Sequence, residues 1–340
     1  MKWHRRSFLA SLALCCAAAP GSTRAAETPS LPVVRLKLGW IANVQYAGEW
    51  IALDRGFFRD QGLDVTWTAG GPNAPDPAVM LAAGRADLSY MSWLPFLDAV
   101  ARGNDLVILG TEMPRNPLGV ISLPAHPVRV PRDLLGLRIL AQGINETTSI
   151  NAVLAIAGLP RQWTFVPAGF APDPLLDGQG DAFVGFDTNQ KLTLEMMGLK
   201  QDRDFIFTNF ADLGFVTPAA LLVTTRAYLT QNRPRVVAFL RALIQGWTFN
   251  ETDPAVAARL VVEKYGEDYG FDLDQQILQN RSQIPFTHYR GMPSRPLLSL
   301  DRDMMVGPMY AAARAAGRTA LPDIDRIADF TVVPEAFKGI

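Results

Sequence analysis

The residues best equipped to touch a small molecule in this chain are amides, hydroxyls and aromatic rings. Nucleophiles and bases are scarce among them. In an open α/β sheet, ligands bind beyond the carboxyl ends of the strands, and that rule selects candidates directly. Trp40, Asn43, Gln45 and Tyr46 follow one strand-like stretch, and Gly70, Gly71, Asn73 and Asp76 follow a second. Ser92 and Trp93 follow a third, and Thr111, Glu112 and Asn116 a fourth. Farther along, Gln142 to Asn145 precede a helical pattern, and Asp187 to Gln190 end another strand. From this set, ligand contacts are expected at Trp40, Asn43, Gln45, Tyr46, Gly71, Asn73, Ser92, Trp93, Thr111, Asn116, Asn145, Asp187 and Asn189. Such a wall suits a flat polar guest. Aromatic faces stack on rings, worth roughly 0.5–1.5 kcal/mol per pair beyond burial, and amides fix the ring edge. Structural roles compete. Trp40 also reads as packing between helices, Asn43 as a turn residue, and Asn145 or Thr147 as a helix cap. A helix start there also suits an anion. Asp187 suits a ligand amine or a plain strand end.

Recognisable catalytic motifs are missing. The chain has no Gly-x-Ser-x-Gly elbow, Gly-Lys-Ser/Thr phosphate loop, His-Glu-x-x-His or Gly-x-Gly-x-x-Gly fingerprint. The histidines are His4, His126 and His288, and the two cysteines, Cys15 and Cys16, are adjacent. That spacing builds neither a zinc site nor a disulfide framework. No catalytic residue, metal ligand or cofactor is therefore expected. A formal net charge of −1 leaves no basic excess for phosphates and excludes a nucleic-acid binder. With 340 residues, 49% of them hydrophobic, the chain has a sizeable core and two or more domains.

The elements that must position these side chains come in two similar runs. Strand patterns at 33–40, 63–68, 86–91 and 106–109 alternate with helical patterns at 49–54, 77–83 and 96–101. This is the order of a mainly parallel sheet covered by helices. The theme restarts with strands at 138–141, 164–166 and 182–186 and helices at 147–157 and 174–177. One echo links the runs: Gly84 and Asp87 before one strand, Gly178 and Asp181 before another. Helices at 234–249, 254–265, 273–279 and 300–316 follow. Two α/β lobes are expected, residues 31–115 plus 222–340 and residues 118–218, joined by strand-like crossings near 113–123 and 218–224.

Residues 1–25 read as an export signal. Lys2, His4, Arg5 and Arg6 precede an apolar stretch at 8–19 and a Thr23-Arg24-Ala25 cleavage site. The stretch is too short to span a bilayer, which takes about 20 residues. Arg5 and Arg6 also resemble a twin-arginine signal, and Cys15 or Cys16 is the only place for lipid attachment. Cleavage removes Lys2, Arg5, Arg6 and Arg24 and both cysteines, leaving an acidic chain without thiols.

Leu38-Gly39-Trp40-Ile41-Ala42-Asn43 and Asp54-Arg55-Gly56-Phe57-Phe58 resemble the opening of periplasmic solute-binding proteins for thiamine-pyrimidine precursors. Their wider group includes sulfonate, nitrate and riboflavin binders of ABC importers. Gly84 to Asp87, Pro131 to Gly136 and Asp181 to Asn189 continue the likeness. It implies a type II periplasmic binding fold, two α/β lobes hinged on two crossing segments. It implies a periplasmic, monomeric protein that clamps a small-molecule ligand and meets an ABC permease and its ATPase at the inner membrane. On the Trp-x-x-Asn motif it implies cleft roles for Trp40, Asn43 and Tyr46. The first expected ligand is a thiamine pyrimidine precursor; a flavin such as riboflavin, a sulfonate or nitrate, and a pyrimidine synthase-like enzyme are the alternatives. The family's common Pro is Ala42 here, its His is Gln45 or Tyr46, and its Asn-Glu pair is Asn189-Gln190. The last exchange removes an expected carboxylate and leaves room for a more neutral heterocycle.

Overall fold

The structure, a computed structural model, describes residues 30–289 and 296–340. The export signal, with Cys15 and Cys16, lies outside the described residues. Ten strands form two five-stranded sheets. They are β1 (Val33–Lys37), β2 (Asp64–Thr68), β3 (Leu88–Met91), β4 (Leu106–Met113), β5 (Leu118–Ser122), β6 (Arg138–Ala141), β7 (Thr164–Pro167), β8 (Ala182–Phe186), β9 (Ile206–Asn209) and β10 (Ala219–Thr225). The first sheet has the order β2-β1-β3-β10-β4 and the second β7-β6-β8-β5-β9. In each, four strands point the same way and the fourth in the order, β10 or β5, runs antiparallel to both its neighbours. Those two strands carry the chain back from, and out to, the second sheet. Sequence reading expected both as crossing segments; β9 was not foreseen.

The helices that matter below are α1 (Ala47–Asp54), α2 (Pro77–Ala82), α3 (Trp93–Ala101), α4 (Ile144–Ile156), α5 (Arg226–Thr252), α6 (Leu273–Gln283) and α7 (Tyr310–Ala315). Helix α1 crosses α5 at glycine: a Cβ on Gly246 would collide with the Gly48 carbonyl, and one on Gly48 with the Trp247 ring. The expected helix over 300–316 is broken. A wide turn at Met305–Met309 separates Arg302–Met304 from α7, because Pro308 has no N–H to donate up the helix. The same wide turn, Val261–Tyr265, ends the helix expected over 254–265 early, at Leu260.

The echo seen in the sequence is a repeated clasp. Arg35 lies at the middle of β1, and Asp87 takes its backbone N–H at 2.8 Å and its guanidinium at 2.7 and 2.9 Å. Arg138 opens β6, and Asp181 repeats the pattern at 2.8, 2.9 and 3.3 Å. Gly84 and Gly178 end the preceding helices with φ of +63° and +71°, a left-handed turn that glycine adopts without strain. Each carbonyl then accepts from the same arginine. The Asp87 side chain is 7% exposed and that of Asp181 17%. The same donors lose their partner in a less solvated place at Asp87, so Asp87→Ala should cost about 3 kcal/mol and Asp181→Ala about 1 kcal/mol in urea unfolding. Equal losses would contradict this account of the clasp.

Candidate functional site

The carboxyl ends of the parallel strands in both sheets open onto one cavity of about 380 Å³. The first sheet's wall rests on a close backbone approach. Gly70 donates to the Trp40 carbonyl at 2.8 Å, and Leu38 donates to Thr68 at 2.9 Å. A Cβ at Gly70 would lie 2.6 Å from the Gly39 carbonyl carbon, so only glycine lets this turn lie on the segment that carries Trp40. Gly71 and Asn73, both at positive φ, bend the chain toward the cavity. Asp76 lines it as well, but its carboxylate caps α2, accepting from Ala78 at 2.8 Å and Val79 at 3.1 Å.

Nine of the thirteen residues picked from sequence line this cavity: Trp40, Gln45, Tyr46, Gly71, Asn73, Ser92, Asn116, Asn145 and Asn189. Asn116 joins the two crossings. Its side chain accepts from Leu118 at 3.0 Å and donates to Thr217 at 3.2 Å, while its carbonyl accepts from Asn209 at 2.9 Å. Asn189 accepts from Gln275 of α6 at 3.0 Å, tying the second sheet's wall to a helix packed on the first.

Four do not line it. Asn43 is 1% exposed; it caps the turn Val44–Tyr46 by accepting from the Gln45 amide, and its carbonyl takes the Trp50 indole N–H at 2.8 Å. It aims Gln45 and Tyr46 instead of facing the cavity. Trp93, on the first turn of α3, packs between Phe96 and Tyr310 and donates to the Met309 carbonyl. Thr111 stitches β4 to β10 through the Ala219 carbonyl at 2.7 Å. Asp187 is paired with Lys191 at 2.7 Å, one helical turn on. The cap expected at Asn145 or Thr147 also moves: α4 starts at Ile144 with Gly143 as its cap, so both residues lie inside the first turn.

Sequence reading missed three lining residues of weight: Tyr90, Phe186 and Glu146. Tyr90 lies two residues before Ser92, on the same face of the strand end. That spacing was a usable signal. Glu146 follows from the true start of α4. It is 8% exposed, Asn145 donates to it at 3.1 Å, and burial pushes its carboxyl up from the ordinary value.

Behind Tyr90 lies a buried acidic pair. Its hydroxyl contacts Glu49 of α1 and lies 2.8 Å from Glu112 of β4, which also accepts from Trp247 at 2.9 Å. Tyr90 has one proton and can donate to only one carboxylate. A proton retained by the other acid completes the second bond. Burial raises both carboxyls, Glu49 to about 7. The unfolded chain releases such protons near pH ~4.3. Between that value and the folded one, the folded state binds more protons, so stability falls as pH rises, by up to about 1.4 kcal/mol per pH unit for each proton. A second hollow of about 620 Å³, near Arg226, Arg302 and Asp325, receives none of the residues picked from sequence. Its charges pair within the fold: Arg302 with Asp325, Arg226 with Asp105 and Asp329 with Arg233.

Comparison with known proteins follows the same lines. A family model described as NMT1/THI5 like matches residues 43–257. The formylaminopyrimidine-binding protein of Halalkalibacterium halodurans is 28% identical over 280 residues, covering 80% of this chain and 82% of that one. The 4-amino-5-hydroxymethyl-2-methylpyrimidine phosphate synthase of Uromyces fabae is 25% identical over 232 residues, covering 65% and 67%. The periplasmic aliphatic sulphonate binding protein of Escherichia coli superposes with a TM-score of 0.65 at 17% identity, covering 88% of this chain and 98% of that one. At that identity the match shows a shared fold, the periplasmic-binding-protein fold with two α/β halves. From the acidic pair, the denaturation midpoint of the ligand-free protein should fall from about pH 5 to about pH 7, and Glu49→Gln should flatten the fall. A midpoint that rises across this window in both proteins would contradict the buried-proton account.

Proposed function

The chain belongs to the NMT1/THI5-like family, and from that premise we propose that it is the periplasmic substrate-binding component of an ABC importer. Its two halves close on an aromatic heterocycle, first of all a thiamine pyrimidine precursor, and present the closed form to the permease. The carrying observation is the composition of the wall. Trp40, Tyr46, Tyr90 and Phe186 offer ring faces, and Gln45, Asn73, Asn116, Asn145 and Asn189 offer amides. Asp76 and Glu146 are the acids, and no Lys, Arg or His is among the described residues lining the cavity. A desolvated sulfonate or nitrate would rely on helix starts such as that at Ile144 to offset its charge; a neutral or amino-bearing ring needs no such partner. The volume sits at the small end of ligand pockets, about 300–1,000 Å³, which favours one substituted ring over a three-ring flavin.

The relatives named as synthases raise the enzyme reading. Histidine, lysine and cysteine, the side chains on which proton transfer, Schiff-base and thiol chemistry are usually built, do not line this cavity. The wall is equipped to hold and orient. Closure supplies the signal: a ligand touching both halves stabilises the closed form by its differential affinity for it.

Titration with 4-amino-5-hydroxymethyl-2-methylpyrimidine, followed by tryptophan fluorescence, should saturate at about micromolar ligand, equivalent to about 8 kcal/mol. Trp40→Ala should weaken binding about tenfold or more through lost stacking and burial. Saturation by an alkanesulfonate or nitrate, with no response to the pyrimidine, would overturn the reading.

A further inference from the structure

Two carboxyls line the cavity, and they are not equivalent. Asp76 is committed to the first turn of α2, with both cap bonds made to backbone N–H groups. Asp76 is exposed, whereas Glu146 is buried at the third position of α4, where the backbone N–H groups of Gly143 and of Glu146 itself also favour its carboxylate. Its neighbour Asn145 donates one bond to Oε1 at 3.1 Å. A carboxyl group has about four acceptor sites, so acceptor capacity remains. The Gly143 position next to it is open: the nearest atom to a Cβ placed there would be Glu146 Oε2 itself, at 3.9 Å. The group is thus desolvated, faces the guest volume and is approachable from it.

The other polar wall groups are largely engaged. Gln142 donates to the carbonyls of Gly169 and Val184, Gln190 bridges Phe186 and Phe170, and Asn189 is held by Gln275. We propose that Glu146 is the specificity-determining residue of the cavity and accepts a hydrogen bond from the exocyclic amino group of the bound aromatic ring. A carboxyl oxygen accepts whether or not the group is ionised, so the recognition does not depend on its protonation state. A ring without an amino donor would bury this acceptor unpaired, and sites of that kind reject the lacking analogue strongly. The inference rests on the proposed heterocycle-binding role.

The test pairs two ligands with three proteins. The ligands are 4-amino-5-hydroxymethyl-2-methylpyrimidine and its 4-methyl analogue, which keeps the ring and loses the donor. The proteins are the wild type, Glu146→Met and Glu146→Gln, each checked by thermal melt before calorimetric titration. Wild type should prefer the amino ligand by about tenfold or more. Glu146→Met should bind the two within about twofold, and Glu146→Gln, whose amide oxygen still accepts, should keep most of the preference. If the Met protein does not fold, a Gln protein without any preference contradicts the acceptor role. Unchanged discrimination in the Met protein overturns the assignment of Glu146 while leaving heterocycle binding intact. Failure of the wild type to bind either ring removes the binding role and the inference together.

Discussion

Desolvation is the constraint from which the site follows. Two sheets turn their strand ends toward one small cavity, and its deeper polar groups, Gln45, Glu146 and Gln190, have exchanged water for protein. Such a wall tolerates a guest only if each buried donor and acceptor finds a partner. On the proposed reading, amides and two carboxyls, framed by rings and without a cation among the described lining residues, meet a flat molecule with N–H donors and ring acceptors. The shared fold with a sulphonate-binding protein does not fix the ligand, because the backbone sets where the cavity lies and the side chains decide what it holds.

The scaffold that holds this wall is built twice from the same local devices. A glycine ends a helix, an aspartate three residues later grips an arginine of the neighbouring strand, and the parallel ladder follows. Each sheet is completed by an antiparallel strand from a crossing segment; the second is one run of chain, β5 to β9, whereas the first joins β1–β4 to the returning β10. Asn116 bonds across both crossings while lining the cavity. The cavity wall and the geometry of the crossings are thereby coupled through one residue. Beneath the floor, Tyr90 joins the cavity to the Glu49–Glu112 pair and to Trp247 of α5, which fits because α1 and α5 meet at glycine.

Much of this was legible in the sequence, and the gaps have physical causes. The strand-end rule reached Trp40, Tyr46, Ser92 and Asn116 because strand order alone decides which loops share an edge. It could not tell which of two adjacent residues faces inward. Ser92 faces the cavity while Trp93 turns to the C-terminal helices, and Gln45 lines the wall that Asn43 only shapes. Thr111 was claimed by a distant partner that no spacing announces, and Asp187 by Lys191 four residues on, a pairing the spacing could have signalled. Glu146 was hidden by placing the start of α4 late; moving the cap to Gly143 brings a carboxyl into the first turn. Among the C-terminal helices, periodicity found the apolar stripes but not the wide turns at 261–265 and 305–309 that break them.

The account stands or falls on what the cavity holds. Native mass spectrometry of the full chain, purified from a periplasmic extract without added ligand and then gently activated, reads this directly. Release of a small nitrogen heterocycle bearing an amino group is the predicted result. Release of a sulfonate or another small anion would contradict it.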